Sequence, residues 1–150
     1  MQHALVICQI VTVLFLAFHD WVPLGTLNNV TGLRAVDTRR KLLISTIVST
    51  LPFAAVLFAC IRYIDGYFPV WLLWWLWATY LACAYGILRA WWIPYLGNPD
   101  PGRSARYRVR FAGTHGFLPV RNGIRPDSLH VAFHALVILI LIMLAFRTFL

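Results

Sequence analysis

The segment 70–92, "VWLLWWLWATYLACAYGILRAWW", decides the fold class of this chain, and Arg89 is its single charged residue. The hydrocarbon core of a bilayer is about 30 Å thick, so a helix needs roughly 20 apolar residues to cross it. Tryptophan favours both membrane interfaces, and the distance from Trp71 to Trp92 is about 31 Å at 1.5 Å per residue. The segment is therefore predicted to be a transmembrane helix.

Three further apolar segments, 3–19, 42–61 and 129–146, are predicted to span the membrane as well. The first lacks a basic start and a small-residue cleavage site, so we interpret it as a retained span and not as a signal peptide. Pro52 kinks the second, which neighbouring helices can accommodate. The apolar runs are continuous, unlike the alternating pattern of a barrel strand. We predict an all-α polytopic membrane protein, in which residues 1–150 form one domain with a four-helix transmembrane bundle.

The composition supports the membrane class. Hydrophobic residues make up 61% of the chain and charged residues 12%, whereas soluble domains average about 45–50% and about 25%. All five acidic residues are aspartate, so HExxH metalloproteases and glutamate-based di-iron bundles are excluded. The three cysteines form no CxxC motif and are interpreted as small buried hydrophobic residues. They are Cys8, Cys60 and Cys83.

The basic residues are distributed unequally between the two sides of this predicted bundle. Four spans place the connections 20–41 and 93–128 on one side, and both termini and residues 62–69 on the other. Only Arg62 and Arg147 lie on the second side. The other eleven are Arg34, Arg39, Arg40, Lys41, Arg89, Arg103, Arg106, Arg108, Arg110, Arg121 and Arg125. The positive-inside rule therefore places the two connections in the cytoplasm, folded into a polar cap, and both termini outside. In a bacterial host this is the inner membrane.

Four of the five histidines are predicted to lie on the cytoplasmic side: His19, His115, His130 and His134. Asp127, His130 and His134 are spaced i, i+3, i+7, which puts them on one helix face. An ionisable side chain as deep as His134 is expected to point to a partner or to a wet cavity. Because the pKa of histidine lies near 6.5, we take His115, His130 and His134 as candidate catalytic residues.

The histidines also suggest a metal site. A His-x-x-x-His pair such as His130 and His134 can begin a divalent-metal site, which His19 and Asp127 would complete. The competing interpretation gives the histidines interhelical hydrogen bonds and makes Asp127 a helix cap. Haem ligation fits less well, because two histidines on one turn cannot supply opposite axial ligands.

A basic segment, "PGRSARYRVRFAGTHGF" at residues 101–117, precedes the last span. Three of its arginines alternate with apolar residues: Arg106, Arg108 and Arg110. Period-two alternation predicts that their guanidinium groups share one side. With Arg121 they are candidates for binding an anionic headgroup, since arginine binds phosphate bidentately. Contact with the anionic leaflet explains the same pattern. Nucleic acid is not an expected partner, because the segment matches no recognition module.

Several functions remain compatible with this pattern, and the sequence leaves open whether the protein is an enzyme. One is a small membrane enzyme or binding protein for an anionic amphiphile, such as a lipid phosphate. Another is a non-catalytic subunit that packs against a larger complex, or against its own copies, through a stripe of small residues on the third span. These are Ala78, Ala82 and Gly86. A small-solute carrier is a third. Membrane lipids with anionic headgroups are the expected partners.

Overall fold

A computed structural model describes residues 1–97 and 101–149. Within those residues the chain forms α1 (Gln2–Phe18), α2 (Val30–Val36), α3 (Arg39–Arg62), α4 (Val70–Ile87), α5 (Ile93–Leu96), α6 (Pro101–Arg110) and α7 (Ser128–Phe149). A short 3₁₀ helix, Gly25–Leu27, precedes α2, and a π-helical turn, Leu88–Trp92, joins α4 to α5. No β-strand occurs in the described ranges, so the all-α prediction is confirmed there.

Three helices are long and apolar enough to cross a membrane: α3, the continuous helix Val70–Leu96, and α7. Their mean hydropathies are 2.2, 1.4 and 2.6, which indicates an integral membrane protein. Each of the predicted spans 42–61, 70–92 and 129–146 lies inside one of them. The remaining predicted span, 3–19, corresponds to α1, an apolar helix of 17 residues. At 1.5 Å per residue α1 is about 26 Å long, slightly less than a hydrocarbon core.

The four apolar helices contribute to one hydrophobic cluster. Helix α1 packs against α3 and α7, and α4 packs against α7 and α3. Leu5, Val56, Tyr80 and Ile140 are among its most buried members, one from each helix. Because each helix buries only part of its surface, many of the remaining apolar side chains face outwards.

The helices have two chemically different ends. At one end the Gln2 amide donates to the Gly66 carbonyl, and Arg147 lies over the Phe68 ring; we call this the terminal end. At the other end the Trp21 indole donates to the Thr46 hydroxyl at 2.9 Å. Residues 19–38, 88–97 and 101–127 lie there, and we call this the connection end. Eleven of the 13 basic residues belong to the connection end or to the helix turns beside it.

Helices α2 and α6 pack closely at the connection end. The Asn29 side chain caps α2 by accepting from Gly32 N at 2.8 Å, and it donates to the Ala112 carbonyl at 2.8 Å. A Cβ at Gly32 would lie 2.5 Å from the Val109 carbonyl oxygen. Glycine is therefore required for this helix pair to approach so closely.

The prediction of period-two alternation in the basic segment is wrong, because residues 101–110 form α6. Pro101 is the first helical residue, a position where its missing N–H costs nothing. No neighbouring strand is present in the described residues to receive extended backbone bonds, whereas a helix satisfies its own. In the helix Arg106 and Arg110 share a face, and Arg108 points to another side.

Besides packing against α2, α6 contacts the helix that continues α4 beside a proline. Across the turn Leu88–Trp92 the hydrogen bonds have π spacing, and Ile93 N donates to the Leu88 carbonyl. The next residue, Pro94, has no N–H. It therefore cannot donate to Ala90 at α spacing or to Arg89 at π spacing. Both carbonyls need donors from elsewhere.

Side chains of α6 supply those donors. The Tyr107 hydroxyl donates to the Ala90 carbonyl at 2.7 Å, and Arg103 Nη1 donates to the Arg89 carbonyl at 2.9 Å. The Tyr107 ring also contacts the Trp91 ring edge-on, with 5.1 Å between centroids. These contacts attach the basic helix to the end of the longest apolar one.

We expect Tyr107→Phe to lower the thermal unfolding midpoint in detergent, because it leaves the Ala90 carbonyl without its hydroxyl donor. One hydrogen bond contributes a net free energy of about 1 kcal/mol to stability. For a chain of this size its loss lowers the unfolding midpoint by about 2–4 °C. In a Pro94→Ala background the alanine N–H can donate to a freed carbonyl, so Tyr107→Phe should lower the unfolding midpoint much less. The exposed Tyr85→Phe is the control. An equal cost of Tyr107→Phe in both backgrounds would refute the role of Pro94.

Candidate functional site

An apolar cleft of about 430 Å³ lies between α1, α3, α4 and α7 near the connection end. Its walls include Phe15, Pro52 and Phe133. The cleft is open on one side: Val48 on its rim is 67% exposed, and a Cβ at Gly86 would meet no atom within 4 Å. The cleft is therefore accessible from beside the helices.

The small-residue stripe of α4 forms part of this cleft. Ala82 and Gly86 line it. Within residues 1–97 and 101–149, Gly86 does not pack against a neighbouring helix. The stripe therefore stays accessible from outside the helices at Gly86.

Three imidazoles line the cleft: those of His19, His130 and His134. The His130 ring lies 4.6 Å from the Trp91 ring and 6.4 Å from the His134 ring, between centroids. His134 is 4% exposed, and its Nδ1 has no hydrogen-bond partner among the described residues. A histidine in this state can take a hydrogen bond only after a small movement or from an incoming polar group.

The buried carboxylate of Asp127 holds His130. Asp127 accepts from His130 N at 2.8 Å, which caps α7, and both of its oxygens lie 2.9 Å from His130 Nδ1. The Asp127 residue has no exposed surface. A buried carboxylate needs such donors. The contact fixes the proton of the neutral ring on Nδ1 and leaves Nε2 for another partner.

His19 follows the C-terminal end of α1 and uses both ring nitrogens. Its Nδ1 lies 2.8 Å from the Phe15 carbonyl and its Nε2 lies 3.2 Å from Asp20 Oδ1. Burial lowers the pKa of His19, the Asp20 carboxylate acts in the opposite direction, and nearby His130 and Arg110 lower it further. The protonation of His19 is therefore sensitive to charges placed beside it.

A basic cavity of about 480 Å³ adjoins the cleft. Five cationic side chains line it: Lys41, Arg89, Arg103, Arg106 and Arg110. One carboxylate, Asp37, belongs to the same cavity and pairs with Lys41. Arg110 lies 3.6 Å from Asp37 and 3.8 Å from Asp20. Ala90 lines both this cavity and the cleft, so the two share a wall.

Tyr107 also lines the basic cavity, with its hydroxyl bound to the shared wall. Burial raises the pKa of Tyr107, and the guanidinium groups of Arg103, Arg110 and Arg106 act in the opposite direction. The phenol therefore stays protonated near neutral pH and remains a donor to the Ala90 carbonyl.

The structure separates the arginines that the sequence grouped. Arg106 and Arg110 line the basic cavity. Arg108 lies in another groove with Arg125. Arg121 lies over the Tyr95 ring at 5.8 Å and lines neither the basic cavity nor the groove of Arg108. The predicted set of four headgroup ligands is thus divided among three places.

His115 is also separate from the other imidazoles. Its side chain is exposed, its Nδ1 lies 2.8 Å from the Ser128 hydroxyl, and it lines neither the cleft nor the basic cavity. The Ser128 hydrogen bond ties residue 115 to the start of α7.

Sequence reasoning missed Arg89, Arg103 and Lys41 as members of a site. The missed signal is helical spacing: Arg103, Arg106 and Arg110 stand at i, i+3 and i+7, which places them on one face of α6. Arg89 lies beside them because its carbonyl, which Pro94 cannot reach with an N–H, accepts a hydrogen bond from Arg103 on α6.

The metal prediction finds no geometric support. Among the described residues no group of three or more His, Cys or Asp side chains is arranged to hold a metal ion. His19 Nε2 faces Asp20 and His130 Nδ1 faces Asp127, so these nitrogens already have partners. The imidazoles of His19 and His130 therefore act as hydrogen-bond partners of carboxylates.

The sequence matches no protein-family model, and neither the curated proteins nor the solved structures contain a significant match.

We expect Asp127→Ala to destabilise the protein by about 1–3 kcal/mol, since it removes the helix cap and the acceptor for His130. Asp127→Asn should destabilise the protein less, because its amide oxygen can still accept from the His130 backbone N–H. Thermal unfolding in detergent measures both, with exposed Asp65→Asn as the matched control. Wild-type stability of Asp127→Ala would contradict the capping role.

Proposed function

We propose that this chain is an integral membrane protein that binds an anionic amphiphile at its connection end. The apolar tail would occupy the cleft and the headgroup the basic cavity. The observation that carries the proposal is the shared wall at Ala90. A cleft for hydrocarbon and a cavity with five cations lie on either side of one residue. This arrangement matches the division of charge within a phospholipid.

We further propose that all 150 residues form one four-helix transmembrane domain, with α1 as the fourth span. Helix α1 packs against α3 and α7, which are long enough to cross a membrane. Both of its ends make contacts, through Gln2 at the terminal end and Trp21 just beyond its last turn. A span about 26 Å long requires only slight thinning of the bilayer.

The connection end is proposed to face the cytoplasm, with both termini on the outer side, in a bacterial host across the inner membrane. The distribution of basic residues supports this orientation under the positive-inside rule. The connections then form the proposed polar cap, and the basic cavity lies at the leaflet where anionic lipids are concentrated.

The headgroup should determine which amphiphile binds. A tail gains little by moving from lipid into an apolar cleft, because lipid tails are as apolar as the cleft walls. Guanidinium groups, by contrast, bind phosphate oxygens through paired, charge-assisted hydrogen bonds. Arg89, Arg106 and Arg110 are well placed for this, and a single carboxylate, Asp37, lines the cavity with them. Arg108 and Arg121 do not line this cavity, so they are not assigned to the headgroup.

A non-catalytic subunit is the second candidate function. The open side of the cleft at Gly86 favours it, because the small-residue stripe can receive a helix from a larger complex or from a second copy of this chain. In that case the partner helix would occupy the cleft and exclude the tail. Lipid titration of the purified protein distinguishes the two.

We expect Arg106→Gln to weaken binding of phosphatidylglycerol about ten- to a hundredfold, since one charge-assisted pair contributes roughly 1.5–3 kcal/mol. Arg89→Gln should act in the same direction. Native mass spectrometry of the detergent-solubilised protein gives the affinity, and phosphatidylcholine serves as the uncharged comparison. Arg121→Gln is the matched control and should bind like the wild type.

The cleft is tested separately by Gly86→Leu, which should reduce phosphatidylglycerol binding without altering the basic cavity. Equal binding of the anionic and zwitterionic lipids would reject the proposal. So would a loss in Arg121→Gln as large as that in Arg106→Gln. A stable homodimer with no bound lipid would favour the subunit function.

A further inference from the structure

A second, much smaller cavity lies behind the imidazoles of His19 and His130. Its volume is about 10 Å³, about the smallest space that accepts one water molecule. Its polar lining residues, besides the two histidines, are Asp20, Asn28, Asn29, Arg110 and Asp127. Two carboxylates, Asp20 and Asp127, and one guanidinium group, Arg110, are therefore close to the two imidazoles.

The two imidazoles separate this polar cavity from the apolar cleft. Among the described residues that line these cavities, only His19 and His130 line both. Their rings lie edge to face, with 5.6 Å between centroids. Each ring therefore has one side towards the site proposed for the amphiphile and another towards carboxylates and amides.

Each imidazole also has its own carboxylate. His130 Nδ1 binds Asp127, and His19 Nε2 lies 3.2 Å from Asp20 Oδ1. Because His19 Nδ1 binds the Phe15 carbonyl, the ring nitrogen left for exchange is Nε2 of His130.

We propose that His19 and His130 form an acid–base wall, in which Nε2 of His130 takes up a proton when an anionic amphiphile occupies the cleft. The inference rests on the proposed function and adds a proton-exchange step to it. A proton leaves solvent and forms an N–H bond at Nε2, while the Nδ1 proton stays in the hydrogen bond to Asp127. The resulting imidazolium faces the Asp127 carboxylate, and no other bond forms or breaks.

The charges around the wall determine the direction of the proton movement. From α7 His130 meets Asp127 and His134, and across the small cavity stand Asp20 and Arg110. Arg110 opposes a positive charge there, whereas the two carboxylates favour it. Arg110 lines both the basic cavity and the small cavity, so a headgroup anion that pairs with Arg110 offsets its positive charge and shifts this balance towards the imidazolium.

Calorimetric titration with dioctanoyl phosphatidylglycerol tests the proposal. Titrations of the whole detergent-solubilised protein at about pH 7, in two buffers of different ionisation enthalpy, give the protons taken up per ligand bound. This diester phosphate does not titrate near neutral pH, and among side chains with ordinary pKa values only histidine does. We expect net uptake of part of a proton per ligand.

His130→Gln should lose most of the uptake per bound ligand. Asp127→Asn keeps an oxygen to cap α7 and should lose part of it, so the test does not depend on one variant folding. His115→Gln is the matched control, since that exposed histidine lines neither cavity, and it should keep the uptake. Retention of full uptake in His130→Gln would overturn the acid–base wall.

Two results separate this inference from the proposed function. Saturable binding with no proton uptake between about pH 6 and 8, the range in which histidine titrates, would overturn the acid–base wall and leave the amphiphile site standing. Absence of saturable binding would overturn both.

Discussion

Pro94 leaves two backbone carbonyls of an apolar helix without their helical donors, and side chains of the basic helix replace those donors. A helix end must satisfy its carbonyls, and Tyr107 and Arg103 satisfy the two that Pro94 cannot reach. Their hydrogen bonds attach α6 to the end of an apolar helix. The arginines of α6 then stand on one side of Ala90, with the cleft on the other side. Without that attachment, the charges and the apolar surface would not meet at one residue.

In a bilayer, the apolar cleft and the basic cavity on either side of Ala90 contribute differently to binding. Between a lipid tail and an apolar cleft there is almost no hydrophobic difference, so a cleft alone selects nothing. Charge does select, because ionised groups interact strongly where water is partly excluded. The imidazoles of His19 and His130 add titratable groups between the apolar cleft and the small polar cavity. The site combines apolar, cationic and acid–base surfaces within a few residues.

The sequence predicted the helical class and the positions of three long apolar helices, because uninterrupted hydrophobic runs leave the backbone no other economical structure in lipid. It also predicted that Asp127 and His130 share a face, since both lie at helical spacing. It failed for Arg106, Arg108 and Arg110, where alternation suggested an extended segment and the chain forms a helix. It also failed to associate Arg89 with α6. The contact between Arg89 and α6 depends on Pro94, a π-helical turn and two side-chain donors. The periodicity of the sequence predicts none of these features.

Photo-crosslinking in native membranes tests most directly whether an anionic amphiphile occupies the cleft. A diazirine side chain at Ile87, which lines the cleft, is compared with one at Leu81, which is 52% exposed on the same helix. Mass spectrometry of the adducts then identifies the lipids captured at each position. The account predicts that anionic phospholipids are enriched at position 87 relative to position 81. The same lipid composition at both positions would contradict it.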